Sequence, residues 1–225
     1  MNCQNELEKT INGLIGKPRL LLHACCGPCS SYVIEYISKF FDITILYYNP
    51  NIYPEEEYHR RLHELKEFLP RFFPAVENKV KLVEMNYDPE EFYEAVGTKK
   101  QGELAKEKEK GERCRRCYEF RLRQSYKYAL ENNFDYFCTT LSISPFKDSV
   151  KINSEGEKIA SENSSGPKWL YSDFKKKGGF LRSLQLSEEY GLYRQQYCGC
   201  IYSKVNREIQ KQERLKNDGM QHGNK

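Results

Sequence analysis

The sequence predicts an α/β domain, a parallel sheet flanked by helices, and three observations carry that expectation. Short apolar runs recur at 19–24 (RLLLHA), 43–49 (ITILYYN) and 79–87 (KVKLVEMNY). Each run breaks at turn-forming or capping residues and is followed by a segment with helical spacing of its apolar positions. The alternation continues through 134–140 (FDYFCTT), with no internal repeat and no clean domain boundary, which is the pattern of parallel strands joined by helical crossovers.

RLLLHA stops at CCGPCS, after which SYVIEYISKFF places Tyr32, Ile34, Ile37 and Phe40 at helical intervals, giving strand, loop, helix. ITILYYN ends in NPNIYP, whose prolines and asparagines punctuate a turn before the charged helical segment EEEYHRRLHELKEFL. KVKLVEMNY leads into DPEEFYEAV, with Asp88 as N-cap, proline at the first helical position and acids in the first turn. Residues 98–112 are polar and lysine-rich and read as a loop or exposed helix. From Cys114, CRRCYEFRLRQSYKYALENN spaces Phe120, Leu122, Tyr126 and Leu130 for a long amphipathic helix with basic residues outward. FDYFCTT is the fourth strand, SISPFKDSVKINSEGEKIASEN a loop and helix, and WLYSDF at 169–174 a candidate fifth strand. After KKKGG, a helix over 180–190 precedes YRQQYCGC and a last charged helix. The expected organisation is an N-terminal extension over 1–18, a single domain over 19–215 and a flexible tail over 216–225.

Composition narrows the function classes. Apolar residues are 39% of the 225 and charged residues 30%, and no run approaches the ~20 apolar residues of a membrane span. The first residues lack an apolar h-region and a small-residue cleavage site, so a cytoplasmic protein without membrane association is expected. Nine cysteines in such a chain indicate metal binding or redox chemistry rather than a secreted disulfide framework. The net charge of +4 is mild, but 99–116 holds eight Lys/Arg against four Glu, and 168–182 holds five against one Asp. Such patches are either solvated surface or phosphate contacts.

The cysteines fall in three segments. CCGPCS follows the first strand, where open α/β sheets place their sites, and supplies Cys25, Cys26 and Cys29 as soft ligands. Cys114 and Cys117 form a CxxC at a helix start, whose dipole favours thiolates. With Cys25 and Cys26 they make four thiolates, enough for a [4Fe–4S] cluster or a tetrahedral zinc. The ninety residues between the halves favour a site built into a cleft over a small structural zinc module. Cys198 and Cys200 in YCGC are either a redox-active pair or two more ligands. Cys138 reads as core, and His23 as a strand-end residue or a ligand. His59 and His63 lack an HExxH pattern and read as surface. Asp88, Asp148 and Asp173 are candidate proton donors or further ligands, Asp88 with a competing role as cap. Among 17 tyrosines, Tyr47, Tyr48, Tyr53, Tyr193 and Tyr197 flank these loops, where they either stack on unpaired bases or fill the core.

The ordered set LLHACCGPCS, YYNPNIYPEEEY, GERCRRC, TTLSISPFKDS, DFKKKGG and YRQQYCGC, over residues 19–203, resembles the cobalamin-independent epoxyqueuosine reductases of the QueH family. The resemblance implies a fold like the adenine-nucleotide α-hydrolase (HUP-like) group and reduction of epoxyqueuosine to queuosine at the tRNA wobble position. It implies Cys25, Cys26, Cys114 and Cys117 as ligands of a [4Fe–4S] cluster and Cys198 with Cys200 as a redox-active disulfide. It also implies a second, mononuclear iron, with Cys29 and Asp88, beside Cys198 and Cys200, as ligand candidates. The expected partners are tRNA, with its phosphates on 113–123 and 175–182, and an unidentified electron donor; cobalamin is not expected. A zinc-stabilised RNA-binding module is the alternative, and it leaves YCGC and the adjacent Cys25 and Cys26 unexplained. An ATP-dependent tRNA thiolase would need an SGGxDS-like phosphate loop after the first strand, which CCGPCS does not offer.

Overall fold

A computed structural model describes residues 2–222, with side chains to residue 215. Its frame is a sheet of five parallel strands in the order β3-β2-β1-β4-β5: β1 Arg19–Ala24, β2 Asp42–Tyr47, β3 Lys81–Glu84, β4 Tyr136–Thr139 and β5 Lys168–Trp169. The helices are α1 Cys3–Asn12, α2 Gly27–Ile37, α3 Glu55–Phe68, α4 Phe73–Glu77, α5 Pro89–Val96, α6 Gly102–Lys106, α7 Glu112–Glu131, α8 Ser149–Ser161, α9 Gly179–Glu189 and α10 Ile201–His222.

The order follows from burial. β1 hides every residue after Arg19, the near-continuous apolar run of a strand covered on both faces, and it takes the centre. β3 is half-exposed and lies at one edge. One apolar cluster joins Leu20, Leu22 and Ile45 to Val33, Ile37, Leu65 and Phe68 of α2 and α3. A second packs Leu21, Leu46 and Phe137 on Leu122, Tyr126 and Ile159 of α7 and α8. The chain runs β1-β2-β3 outward and then returns to place β4 on the other flank of β1. The switch point therefore lies between β1 and β4, and the crevice beyond their carboxyl ends is where such sheets seat ligands.

Two expectations need correction. The fifth strand is two residues long and does not extend over 169–174, because its partner ends: after Thr139 the chain turns into a 3₁₀ segment, Thr140–Ile143, leaving nothing to pair beyond the bond from Leu170 N to Phe137 O. The first eighteen residues contain α1, whose Leu7 is fully buried in the core and whose Gln4 donates to the Tyr36 hydroxyl at 3.2 Å. At the other end, the backbone of α10 continues to His222, through much of the stretch expected as tail, and residues 223–225 lie outside the described residues. No helix among the described residues is long and apolar enough to cross a membrane.

Candidate active site

β1 delivers Cys25 and Cys26 at the switch point, and α2 starts at once because Pro28 sits in its first turn, where a missing N–H costs nothing. Cys26 is the N-cap and makes no side-chain capping bond, so its sulfur stays available. Cys29, one turn on, returns to the same place. The three sulfurs lie within 4.8 Å of one another, with Cys25 and Cys26 at 3.8 Å. Hydrogen bonds from Cys26 and Cys29 hold the Cys25 thiol well below its ordinary range, against the effect of burial. Donating to Cys25 pushes Cys26 up to about 12 and raises Cys29. The three sulfurs share hydrogen bonds, and Cys29 belongs with its two neighbours.

α7 brings Cys114 and Cys117. Its first turn is capped by Glu107, whose carboxylate accepts from the backbone N–H groups of Glu112 at 2.8 Å and Arg113 at 2.7 Å. Burial raises both thiols of the CxxC. The third pair sits on a turn that needs glycine: Gly199 has φ +125°, and a Cβ there would stand 3.1 Å from Ile52 and 3.2 Å from Arg61. All nine cysteines are free thiols, so Cys198 and Cys200 stand as a dithiol rather than the expected disulfide. Cys198 is held well below its ordinary range by a hydrogen bond from Cys200, and then, against burial, by the Lys147 ammonium that donates to its sulfur. The Cys198 thiolate in turn keeps Lys147 charged despite burial.

Two buried arginines tie the segments together. Arg121 is 1% exposed, donates to Asn49 Oδ1 at 2.6 Å, and faces Cys25, Cys117 and Cys198. Its Nε and Nη2 point at His23 Nε2 at 3.3 Å, so that nitrogen is the acceptor and Nδ1 donates to Thr139 Oγ1 at 2.8 Å. Burial, and then Arg121, push His23 down to about 3, which keeps it neutral. His23 orients the arginine; both its nitrogens are engaged, and it is not aimed at the sulfurs as a ligand. Arg61 on α3 is fully buried, pairs with Glu57 at 2.7 Å and donates to Cys198 O at 3.4 Å. Its Nη2 finds no partner among the described residues, and no carboxylate among them reaches Arg121. Two guanidiniums and the Lys147 ammonium thus stand on the walls of a chamber lined with thiols. Cys25, Cys29 and Cys198 open together into one pocket, which also receives Lys147 and Gln195; the latter donates to Cys26 Sγ at 3.0 Å.

The model of one protein family, "Epoxyqueuosine reductase QueH", matches residues 20–206, a span containing all three cysteine segments. The chain belongs to the QueH family. Curated relatives carrying that name include one from Streptococcus pyogenes serotype M1, 43% identical over 83% of this chain and 71% of the relative. One from Staphylococcus epidermidis is 38% identical over 86% and 79%, and one from Thermotoga maritima 33% identical over 84% and 91%.

Other residues singled out in this QueH-family chain take different places. Asp88 caps α5, accepting from Glu90 N at 2.9 Å, and Asp148 caps α8. Asp173 is engaged by Lys175 at 2.5 Å. His59 and His63 are exposed on α3, and Cys138 is fully buried core. Tyr47 and Tyr48 are interior, Tyr47 donating to Tyr58 O and Tyr48 to Glu91. The basic stretches are largely committed: Arg115, Arg116 and Arg123 pair with Glu112, Glu119, Glu155 and Glu162, and Arg113 is buried. Lys175, Lys177 and Arg182 pair with Asp173, Glu8 and Glu35. Lys147, Arg61, Arg121 and Gln195 were not singled out; Lys147 and Gln195 lie within the motifs SISPFKDS and YRQQYCGC, whereas the roles of the two arginines depend on contacts far apart in sequence.

Proposed function

We propose that this chain is an epoxyqueuosine reductase acting on tRNA. The observation that carries the proposal is the convergence of cysteines from three separate segments around the buried guanidinium of Arg121 at the switch point of the sheet. Family membership supplies the substrate.

The donor set fits an iron–sulfur centre: thiolates suit iron, and two buried guanidiniums, one with an orphaned N–H, offset the negative charge that metal–thiolate groups carry. Cys25, Cys26, Cys114 and Cys117 would hold a [4Fe–4S] cluster, and Cys29, whose sulfur lies within 4.8 Å of those of Cys25 and Cys26, would serve a neighbouring mononuclear iron. Such a centre supplies one-electron transfer and Lewis acidity when bound.

The remaining chemistry belongs to the chain. Removing an epoxide oxygen to leave an alkene takes two electrons and two protons and releases water. Oxidation of the Cys198 thiolate and the Cys200 thiol to a disulfide releases two electrons and one proton, and the Lys147 ammonium beside Cys198 supplies the second proton, so the two half-reactions balance; an external electron donor and solvent protons then restore the starting state. Lys147 Nζ, hydrogen-bonded to Cys198 Sγ, holds that sulfur as thiolate at the pocket wall. Gln195, with Nε2 on Cys26 and Oε1 unpartnered among the described residues, helps close the pocket to water.

The test is anaerobic purification followed by turnover. A brown protein with iron and sulfide in near-equal amounts, converting epoxyqueuosine in tRNA to queuosine by mass analysis of digested nucleosides, is expected; a colourless zinc protein would refute it. Replacing Cys198 and Cys200 together with serine should leave iron and sulfide content intact and abolish turnover, and normal turnover in that variant sinks the dithiol's role.

A further inference from the structure

The sulfur-lined pocket has a rim that the chemistry above does not use. Phe146 stands on it, 57% exposed, with the Arg207 guanidinium 5.0 Å above its ring. Phe180 stands on it as well, with Arg194 5.8 Å from its ring. Neither arginine reaches a carboxylate among the described residues: Arg207 donates to Gln210 Oε1 at 3.2 Å, and Arg194 to Ser187 Oγ at 3.0 Å and Ser183 O at 3.4 Å. That separates them from Arg115, Arg116 and Arg123 of α7 and Arg182 of α9, which are salt-bridged.

Phe146 is exposed by construction rather than by looseness. On one side Lys147 is drawn inward to Cys198, and on the next Asp148 caps α8 by accepting from the N–H groups of Val150 and Lys151 at 3.1 Å. Its own N–H donates to Ser144 Oγ at 3.3 Å. The loop is pinned on both sides of an aromatic ring held out at the pocket mouth, at the cost of leaving apolar surface in water. The space behind it is about 110 Å³, less than the ~150 Å³ cavity that takes up one benzene ring, so a nucleotide cannot enter whole and its base and phosphates stay at the rim.

We propose that Phe146 is the stacking platform for the unstacked wobble base, with Arg207 and Arg194 swinging from the aromatic rings to the flanking phosphates. This rests on the epoxyqueuosine reductase reading and names the part of the site that positions its substrate. A ring face accepts any base, and a guanidinium with no acidic partner is free to exchange a π-face for a phosphate. Substrate is recognised on the α10 and post-β4 side of the pocket, away from the arginines of α7.

The experiment uses the anaerobically purified enzyme and an unmodified anticodon stem-loop RNA, with affinity followed by fluorescence anisotropy across a salt series. Phe146→Ala should weaken binding about tenfold or more, and Phe146→Trp should restore it. Arg207→Gln should weaken binding and flatten the slope of log K against log salt by about one phosphate's share. In turnover, the Phe146→Ala loss should fall on KM for tRNA more than on kcat. Iron content and melting temperature matching the parent protein show that these changes leave the fold intact. Parental affinity in Phe146→Ala, or failure of the tryptophan to restore binding, overturns the platform. An unchanged salt slope in Arg207→Gln overturns the phosphate contact. A parent enzyme that does not convert epoxyqueuosine overturns the functional reading itself, so the two failures are distinguishable.

Discussion

On the floor of the pocket, Arg61 and Arg121 are wrapped by groups that hold them still: Glu57 and a backbone carbonyl for one, Asn49 and a neutral His23 for the other. On the rim, Arg194 and Arg207 lie on aromatic rings and touch only neutral acceptors. The floor fixes charge where water is excluded and every interaction is strong, which suits a reaction centre. The rim keeps charge mobile and solvated, which suits a polyanion that must arrive and leave. The same residue type serves chemistry in one place and recognition in the other, and burial decides which.

The largest test of that division is on the floor. Arg121→Met should lower both iron content and turnover about 10–100-fold, the usual effect of losing a group that orients metal ligands. The folding cost should be smaller, about 1–3 kcal/mol for orphaning Asn49 Oδ1, because His23 can change tautomer and donate Nε2–H to Tyr48 O, 3.1 Å away. Equal iron content in parent and variant would break the assignment of Arg121 to the cysteine centre.

The next effect is at the hinge between floor and rim. Gly199→Ala forces a side chain into a left-handed backbone position and against Arg61, and should lower stability by about 1–3 kcal/mol in urea unfolding. Turnover should fall with it, since the Cys198 carbonyl is an Arg61 partner. Unchanged stability would mean that the turn relaxes freely.

The smallest effect is on the outer face of α7. Arg123→Ala removes an exposed pair with Glu162, worth at most about 1 kcal/mol, and should leave tRNA affinity within twofold of the parent. A large loss of affinity there would return the phosphate contacts to residues 113–123 and erase the contrast between floor and rim.

Much of this molecule is legible from local pattern. RLLLHA reads as a central strand because burial on both faces demands an unbroken apolar run, and CCGPCS reads as a site because the strand-to-helix loop at the carboxyl edge is where parallel sheets seat ligands, and its three sulfurs do lie together. What escapes is whatever tertiary pairing decides. The stretch 113–123 looks like a cationic surface until Glu155 and Glu162 arrive from α8 to pair with it. WLYSDF has strand composition, but β4 turns away and leaves it without a partner. Phe146 and Arg207 lie sixty-one residues apart, and nothing in either neighbourhood indicates that they meet. Cys29 could not be assigned from spacing, since whether a third sulfur points back at two others depends on how the helix leaves the loop.

The position of the last cysteine pair has a consequence for how the protein is made. All five strands are complete by Trp169, whereas Gln195 and Cys198, which close over Cys26 and the pocket, come later in the chain. During synthesis the sheet can form while the thiols of the first loop still face the medium. The loop that covers Cys26 is therefore the last wall of the pocket to be added, and the sheet that carries the first three cysteines does not wait for it.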